Sequence, residues 1–183
     1  GKMSILIKSF KEDGYSPIIP IRLSEEEYSR ALSCFTPVCT DVVPIDVDRK
    51  NIYLARRSSK PMTGWWWIGG RMLPSDTKEQ SVARNFKRET KLKISQNRFR
   101  LVGVLDYRWK DRAQSPQGVG CHMLAYTFTL ELTEKEIASL TGNLDKDEYE
   151  AGTGLIAFNR EQLVKEEVFP AIINLYDHIF SQK

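Results

Sequence analysis

The stretch GWWWIGGRMLPSDTKEQSVARNFKRETKL, residues 64–92, changes character twice. Trp65, Trp66, Trp67 and Ile68 form an apolar, β-rich run, and Gly69 and Gly70 follow at once, which reads as a strand ending in a glycine turn. After the polar loop RMLPSD the period becomes helical, with Val82 and Phe86 spaced for one buried face. Asp76 is the expected N-cap of this helix, with Glu79 three residues on. A glycine pair at a strand end lets backbone approach an ion or a phosphate closely, and the following helix presents Asn85, Arg88 and Glu89 at neighbouring positions of one face. Only one of these three is a carboxylate, so a metal site here would be a lean one.

Outward from this unit, VCTDVVPIDVD and NIYLARR are short strands before it, and FRLVGVLDYRW and CHMLAYTFTLEL are longer strands after it, joined by the polar loop KDRAQSPQGVG. GLIAF is a further strand. LSEEEYSRALSCF, residues 23–35, reads as an amphipathic helix with acids in its first turn. TEKEIASL is a short helix, and VFPAIINLYDHIF lies in a closing helix at 168–181. Strands alternating with helices point to a layered α/β domain with a mixed sheet. A single domain over residues 1–183 is expected, with its core at about 38–163.

The 183 residues are 41% hydrophobic and 28% charged, with a formal net charge of +3, enough for one domain with a real core. Charges of both signs are spread along the chain, which gives no footprint for nucleic acid or a membrane surface. No apolar run reaches the about 18 residues of a membrane span. Cys34, Cys39 and Cys121 show no CxxC or Cys/His spacing, which argues against a disulfide framework or a structural zinc site and for a cytoplasmic setting.

GGRMLPSDTKEQSVARNFKRETKL resembles the Nudix box, whose form is G, five residues, E, seven residues, R-E-apolar-x-E-E-x-G-apolar. Counted from Gly70, the sequence keeps Arg84, Phe86, Glu89 and Leu92, and has Asp76 for the first Glu; it departs at Asn85, Arg88 and Lys91. The branch typified by GDP-mannose mannosyl hydrolase also lacks these two carboxylates, and similarity to that branch extends over TDVVPID, LARRSSKPMTGWWWIGGR and the later strands. The resemblance implies a Nudix-like α/β/α sandwich and cleavage of the bond between sugar C1 and oxygen in a nucleotide sugar. It also implies one Mg2+ or Mn2+ ion, a small-molecule nucleotide substrate and a possible homodimer. Residue by residue, Asp41 matches a catalytic aspartate, and Arg57 (Arg56 if the shorter loop shifts the match) an arginine that stabilises the leaving diphosphate. The Gly69 carbonyl and Glu89 match metal ligands. Anchored on Tyr149, Asp145 falls at a third ligand position and Lys146 at that of the general base, a histidine in the family; anchored on Phe158, both shift into AGTG.

Each residue also has a plainer explanation. Glu89 could pair with Lys93 one turn on, and Arg57 could be loop charge. Asp41 sits in an alternating strand, where an aspartate needs a partner to explain it. Arg71, Tyr107 and Trp109 are candidate substrate contacts, the aromatics for stacking on a base, although such aromatics serve packing equally often. His122 reads as a satisfied structural histidine and His178 as a surface one. The expected function is weak, magnesium-dependent hydrolysis of a nucleotide sugar or related nucleoside diphosphate derivative. The alternative is a catalytically inactive nucleotide-binding module, and a multi-metal pyrophosphatase fits least.

Overall fold

The computed structural model describes residues 3–140, 144, 149–150 and 154–181. Helix α1 (Glu25–Cys34) precedes β1 (Val38–Asp46), β2 (Asn51–Arg57), β3 (Gly64–Trp66), β4 (Ile68–Arg71) and α2 (Lys78–Thr90). A 3-10 turn at Gln96–Arg98 leads into β5 (Arg100–Trp109) and β6 (Cys121–Glu131), then α3 (Glu134–Ser139), β7 (Ile156–Phe158), α4 (Arg160–Lys165) and α5 (Pro170–Phe180). The described strands form one sheet in the order β3-β2-β1-β6-β5, with β4 also paired to β1 and β7 to β2. Strands β1 and β6 run parallel from Val38 beside Leu124 to Ile45 beside Glu131, and the other pairings are antiparallel, so the sheet is mixed as expected.

Side chains alternate across a strand, and here both faces are apolar. On β1, Val43 and Ile45 join Leu54, Trp67, Leu163, Ile172 and Leu175 in a core under α4 and α5. Val42, from the same strand, faces the other way and packs with Ile68, Val82, Phe86 and Phe128 under α2. Each of these large side chains is worth about 1.5–3 kcal/mol when fully buried. A strand covered on both faces, with helices on either side, gives the α/β/α sandwich. No described helix is long and apolar enough to cross a membrane.

Four local expectations are corrected. The tryptophan run is not one strand: β3 pairs with β2 through Trp65 and Trp66, whereas β4 pairs with β1 from Ile68 onward, and Trp67 stands at the step between them. Gly69 and Gly70 therefore lie inside β4 rather than in a turn, opposite Asp41 and Thr40. The N-cap of α2 is Thr77, not Asp76. Thr77 Oγ1 accepts from the Gln80 amide at 3.1 Å and Gln80 Oε1 accepts from the Thr77 amide at 2.9 Å, a reciprocal box that starts the helix one residue later. Asp76 is held elsewhere: its carboxylate accepts from the Leu73 amide at 3.0 Å and from Arg84, which ties the loop before α2 to the helix. Glu89 does not reach Lys93; its ion pair is with Arg88.

Loss of the cap should cost about 1 kcal/mol, so Thr77→Ala should lower the urea midpoint accordingly. Asp76→Asn and Arg84→Ala disable two halves of one contact. In a double-mutant cycle they should together cost less than the sum of the two single losses.

Candidate active site

At the edge where β4 meets β1, a cavity of about 380 Å³ opens between the sheet and the N-terminal side of the fold. Asp41, Arg57, Gly69, Arg71, Tyr107 and Trp109, chosen from sequence, all line it. The geometry at Asp41 follows from its strand partner. Gly69 lies directly opposite, and a Cβ built on Gly69 would sit 1.9 Å from Asp41 Oδ1, so the carboxylate occupies the space that a side chain at 69 would need. Asp41 is only 8% exposed and accepts a hydrogen bond from Trp67 Nε1 at 3.2 Å. Burial pushes its carboxyl up to about 7, against the opposing pull of the Trp67 hydrogen bond and the nearby Arg57.

The second glycine makes room for the helix. A Cβ on Gly70 would lie 2.5 Å from Arg88 Nη2 and 2.8 Å from Asn85 Oδ1. Asn85 belongs to a buried polar set: its Nδ2 donates to Thr40 Oγ1 at 3.1 Å, and Thr40 and Ser81 share a hydrogen bond of 2.7 Å. A carboxylate could not donate at that position. Arg88 turns toward Glu89, with Nη2 2.9 Å from Oε1, and the arginine side chain is 48% exposed while that of Glu89 is fully buried. Arg88 therefore stands between Glu89 and the cavity, which it also lines.

The walls are basic and aromatic. Arg57 donates from Nε to the Met62 carbonyl at 3.2 Å and from Nη2 to Ser59 Oγ at 3.1 Å. Arg71 lies over the Tyr28 ring at 4.8 Å. Tyr107 and Trp109 stack with centroids 5.1 Å apart, and the Trp66 ring meets each of them edge-on at 5.5 Å. Burial raises the Tyr107 hydroxyl above the usual range, and it pushes the Cys39 thiol up to about 12, so that thiol is no nucleophile at neutral pH.

Trp66, Met62, Tyr28 and Arg88 were not chosen from sequence, yet they line the same space. Arg88 had a signal, its place on the helix face beside Glu89. Tyr28 had none, because α1 carries no motif. Asp145 and Lys146 lie outside the described residues. His122 has its partner, with Nε2 2.5 Å from Asp106 Oδ1, on a side chain 44% exposed. In a roomier open depression, Arg49 is paired with Asp46 and Glu134, and Arg98 with the neighbouring Glu136.

Comparison with protein families places the NUDIX domain over residues 36–177, from just past the end of α1 to well inside α5. The chain belongs to the NUDIX family. Among solved structures, a MutT NUDIX hydrolase from Burkholderia pseudomallei is 18% identical with a TM-score of 0.55, covering 78% of this chain and 95% of that one. The dihydroneopterin triphosphate pyrophosphohydrolase of E. coli is 14% identical with a TM-score of 0.55, covering 79% and 95%. The MutT protein of Methanosarcina mazei Go1 is 15% identical with a TM-score of 0.55, covering 80% and 93%. At these identities the likeness is one of fold. No curated protein matches at the stringency applied.

NUDIX hydrolases generally use a divalent cation such as magnesium. Among the described residues, no group of three His, Cys, Asp or Glu side chains is placed to hold one. By donor type the Glu89 carboxylate and the Gly69 carbonyl would suit magnesium, which takes few protein ligands and several waters; here Glu89 does not line the cavity, and its Oε1 is paired with Arg88. The NUDIX segment supplies both, and Arg88 is paired with that carboxylate.

Because burial raises the Asp41 carboxyl from 3.8 to about 7, the folded chain binds this proton more tightly than the unfolded chain does. The stabilisation is present in full below the unfolded value and is lost as pH rises through the folded one. Relative to Asp41→Asn, the wild-type chain should lose stability between pH 4 and 7, by on the order of 4 kcal/mol. Urea unfolding of both across that range should show the difference; parallel pH curves would contradict it.

Proposed function

We propose that this NUDIX chain hydrolyses a nucleoside diphosphate derivative, a nucleotide sugar of the kind taken by GDP-mannose mannosyl hydrolase, with water attacking sugar C1. One observation carries this reading: Arg57, Arg71 and Arg88 line the same cavity as the Trp66, Tyr107 and Trp109 cluster, with Asp41 as the acidic residue in that lining. A basic floor suits a diphosphate and an aromatic wall suits a base or a sugar face. Attack at carbon asks for stabilisation of a leaving diphosphate and of an oxocarbenium-like sugar. Arg57, held by the Met62 carbonyl and Ser59, is the residue assigned here to the first task. Asp41, fixed by Trp67, can stabilise positive charge on the sugar when ionised.

A magnesium or manganese ion held by Glu89 and the Gly69 carbonyl, with Asp145 as a third ligand, would supply further neutralisation of the diphosphate. Lys146 is the proposed base that activates water. The assignments of Asp145 and Lys146 rest on the family resemblance alone. A histidine base is missing at that place, and a well-placed base contributes on the order of 10²–10⁴ in rate, so turnover should be slow. A second reading, a nucleotide-binding module without turnover, is favoured by the burial of Glu89 under Arg88.

The deciding experiment is a screen of nucleotide sugars with magnesium or manganese in oxygen-18 water. Free sugar carrying the label, with intact nucleoside diphosphate, is expected. Label in the phosphate would place attack at phosphorus instead, and tight binding without turnover would select the binding module. Arg57→Ala should slow turnover by about 10²-fold, the scale for removing one group that stabilises developing negative charge.

A further inference from the structure

The side chain that departs most from a NUDIX metal face is Arg88, and its position gives it two possible partners. Its guanidinium lies 2.9 Å from Glu89 Oε1 through Nη2, with Nε at 3.3 Å from the same oxygen. It also rests over Gly70, where any Cβ would come within 2.5 Å of it, and it lines the cavity. A buried carboxylate needs a cationic partner, and in this state Arg88 provides it. The same planar fork matches a phosphate oxygen pair as well as a carboxylate. Its long, half-exposed stem belongs to α2, so the head group can change partner while the helix stays fixed.

We infer that Arg88 is a diphosphate-binding residue which covers Glu89 until an anion draws it away, so that nucleoside diphosphate and divalent cation bind cooperatively through this one side chain. The inference rests on the reading of the cavity as a nucleoside diphosphate site. The neighbouring arginines favour the exchange: Arg57 and Arg71 line the same cavity, and with Arg88 they give a diphosphate three guanidinium groups. An arriving cation and Arg88 compete for one carboxylate, and like charges oppose each other there. Once the diphosphate holds the guanidinium, that competition is removed. By linkage, each ligand then raises the affinity for the other by the same factor.

The test separates the two halves. Manganese is titrated into the free chain and followed by its electron paramagnetic resonance signal, in wild type, Arg88→Gln and Arg88→Ala. Both variants should bind the ion at least tenfold more tightly than wild type, and a further Glu89→Gln change should abolish the gain. Separately, ADP, GDP and UDP are titrated calorimetrically in EDTA. The nucleotide that binds wild type should bind Arg88→Gln at least tenfold more weakly, with Arg88→Lys between the two. A merely structural role for Arg88 would not tighten metal binding. Unchanged or weaker manganese binding in a folded Arg88→Gln chain, as judged by its melting, would overturn the coupling and leave the cavity reading intact. Failure of all three nucleotides to bind wild type, with the manganese gain present, would instead overturn the cavity reading and the coupling with it.

Discussion

Two neighbouring positions of β4 can carry no side chain, and the site depends on that. At Gly69 the missing Cβ is the space filled by the Asp41 carboxylate from the facing strand; at Gly70 it is the space filled by Arg88 and Asn85 from the helix above. A methyl group at 69 would meet the Asp41 carboxyl carbon and the Thr40 carbonyl at 2.9 Å, and one at 70 would meet the buried Asn85 amide at 2.8 Å, so either would displace a buried polar group even with the Arg88 head swung aside. The close approach of β4 to β1 and α2 therefore precedes any chemistry: it sets a carboxylate, a guanidinium and a buried glutamate within one small region.

The sequence was most legible where apolar period and element length agree. Val82 and Phe86 marked the buried face of α2, and both are wholly buried; the β-rich run of β1 marked a strand, which the sheet places centrally. The run from Trp65 to Ile68 was less legible, because its composition says strand but cannot say that the chain changes partner at Trp67, which is a matter of which neighbour lies where. Glycines are read locally as turn formers, yet these two are required by contacts from residues 28 positions earlier and 18 positions later, which no local pattern contains. Asp76 was a reasonable cap by residue type, but Thr77 offers an equally good acceptor with Gln80 in register, and Arg84 gives the aspartate a stronger partner. Of the cavity lining, Asp41, Arg57 and Gly69 were named through the family resemblance and Arg71, Tyr107 and Trp109 as candidate substrate contacts; the Arg88–Glu89 contact was not foreseen, since adjacent residues on a helix do not ordinarily face each other.

Charge on the α2 face is balanced without a bound ion. Asn85 is neutral and donates into the Thr40–Ser81 pair, and Arg88 offsets Glu89. A face bearing three carboxylates would repel itself in the absence of metal; this one does not, so its folding need not wait for a cation. Self-compensation has an electrostatic consequence for the cavity as well. With Glu89 neutralised, the arginines dominate the field that a ligand meets, and a cavity walled by low-dielectric aromatic side chains strengthens that field. The polar set around Asn85 therefore helps make the site anion-seeking.

One residue of the cavity lining comes from outside the NUDIX segment. Tyr28 belongs to α1, before residue 36, yet its ring carries Arg71 and lines the cavity. What holds α1 there is a buried arginine in the loop between β5 and β6: Arg112 donates from Nη1 to the Ser29 carbonyl at 3.0 Å and from Nε to the Gly120 carbonyl at 2.8 Å. Its position is enforced by desolvation, since a guanidinium only 4% exposed must have its donors met, and four acceptors meet them: the Gly120 and Ser29 carbonyls and the Ser29 and Ser33 hydroxyls. Movement of that loop would carry α1 and Tyr28 with it, and Arg71 would lose the ring it rests on. The family segment thus supplies the strand, the helix and the arginine paired with Glu89, while the ring under Arg71 comes from a helix before that segment, fastened by an arginine distant in sequence.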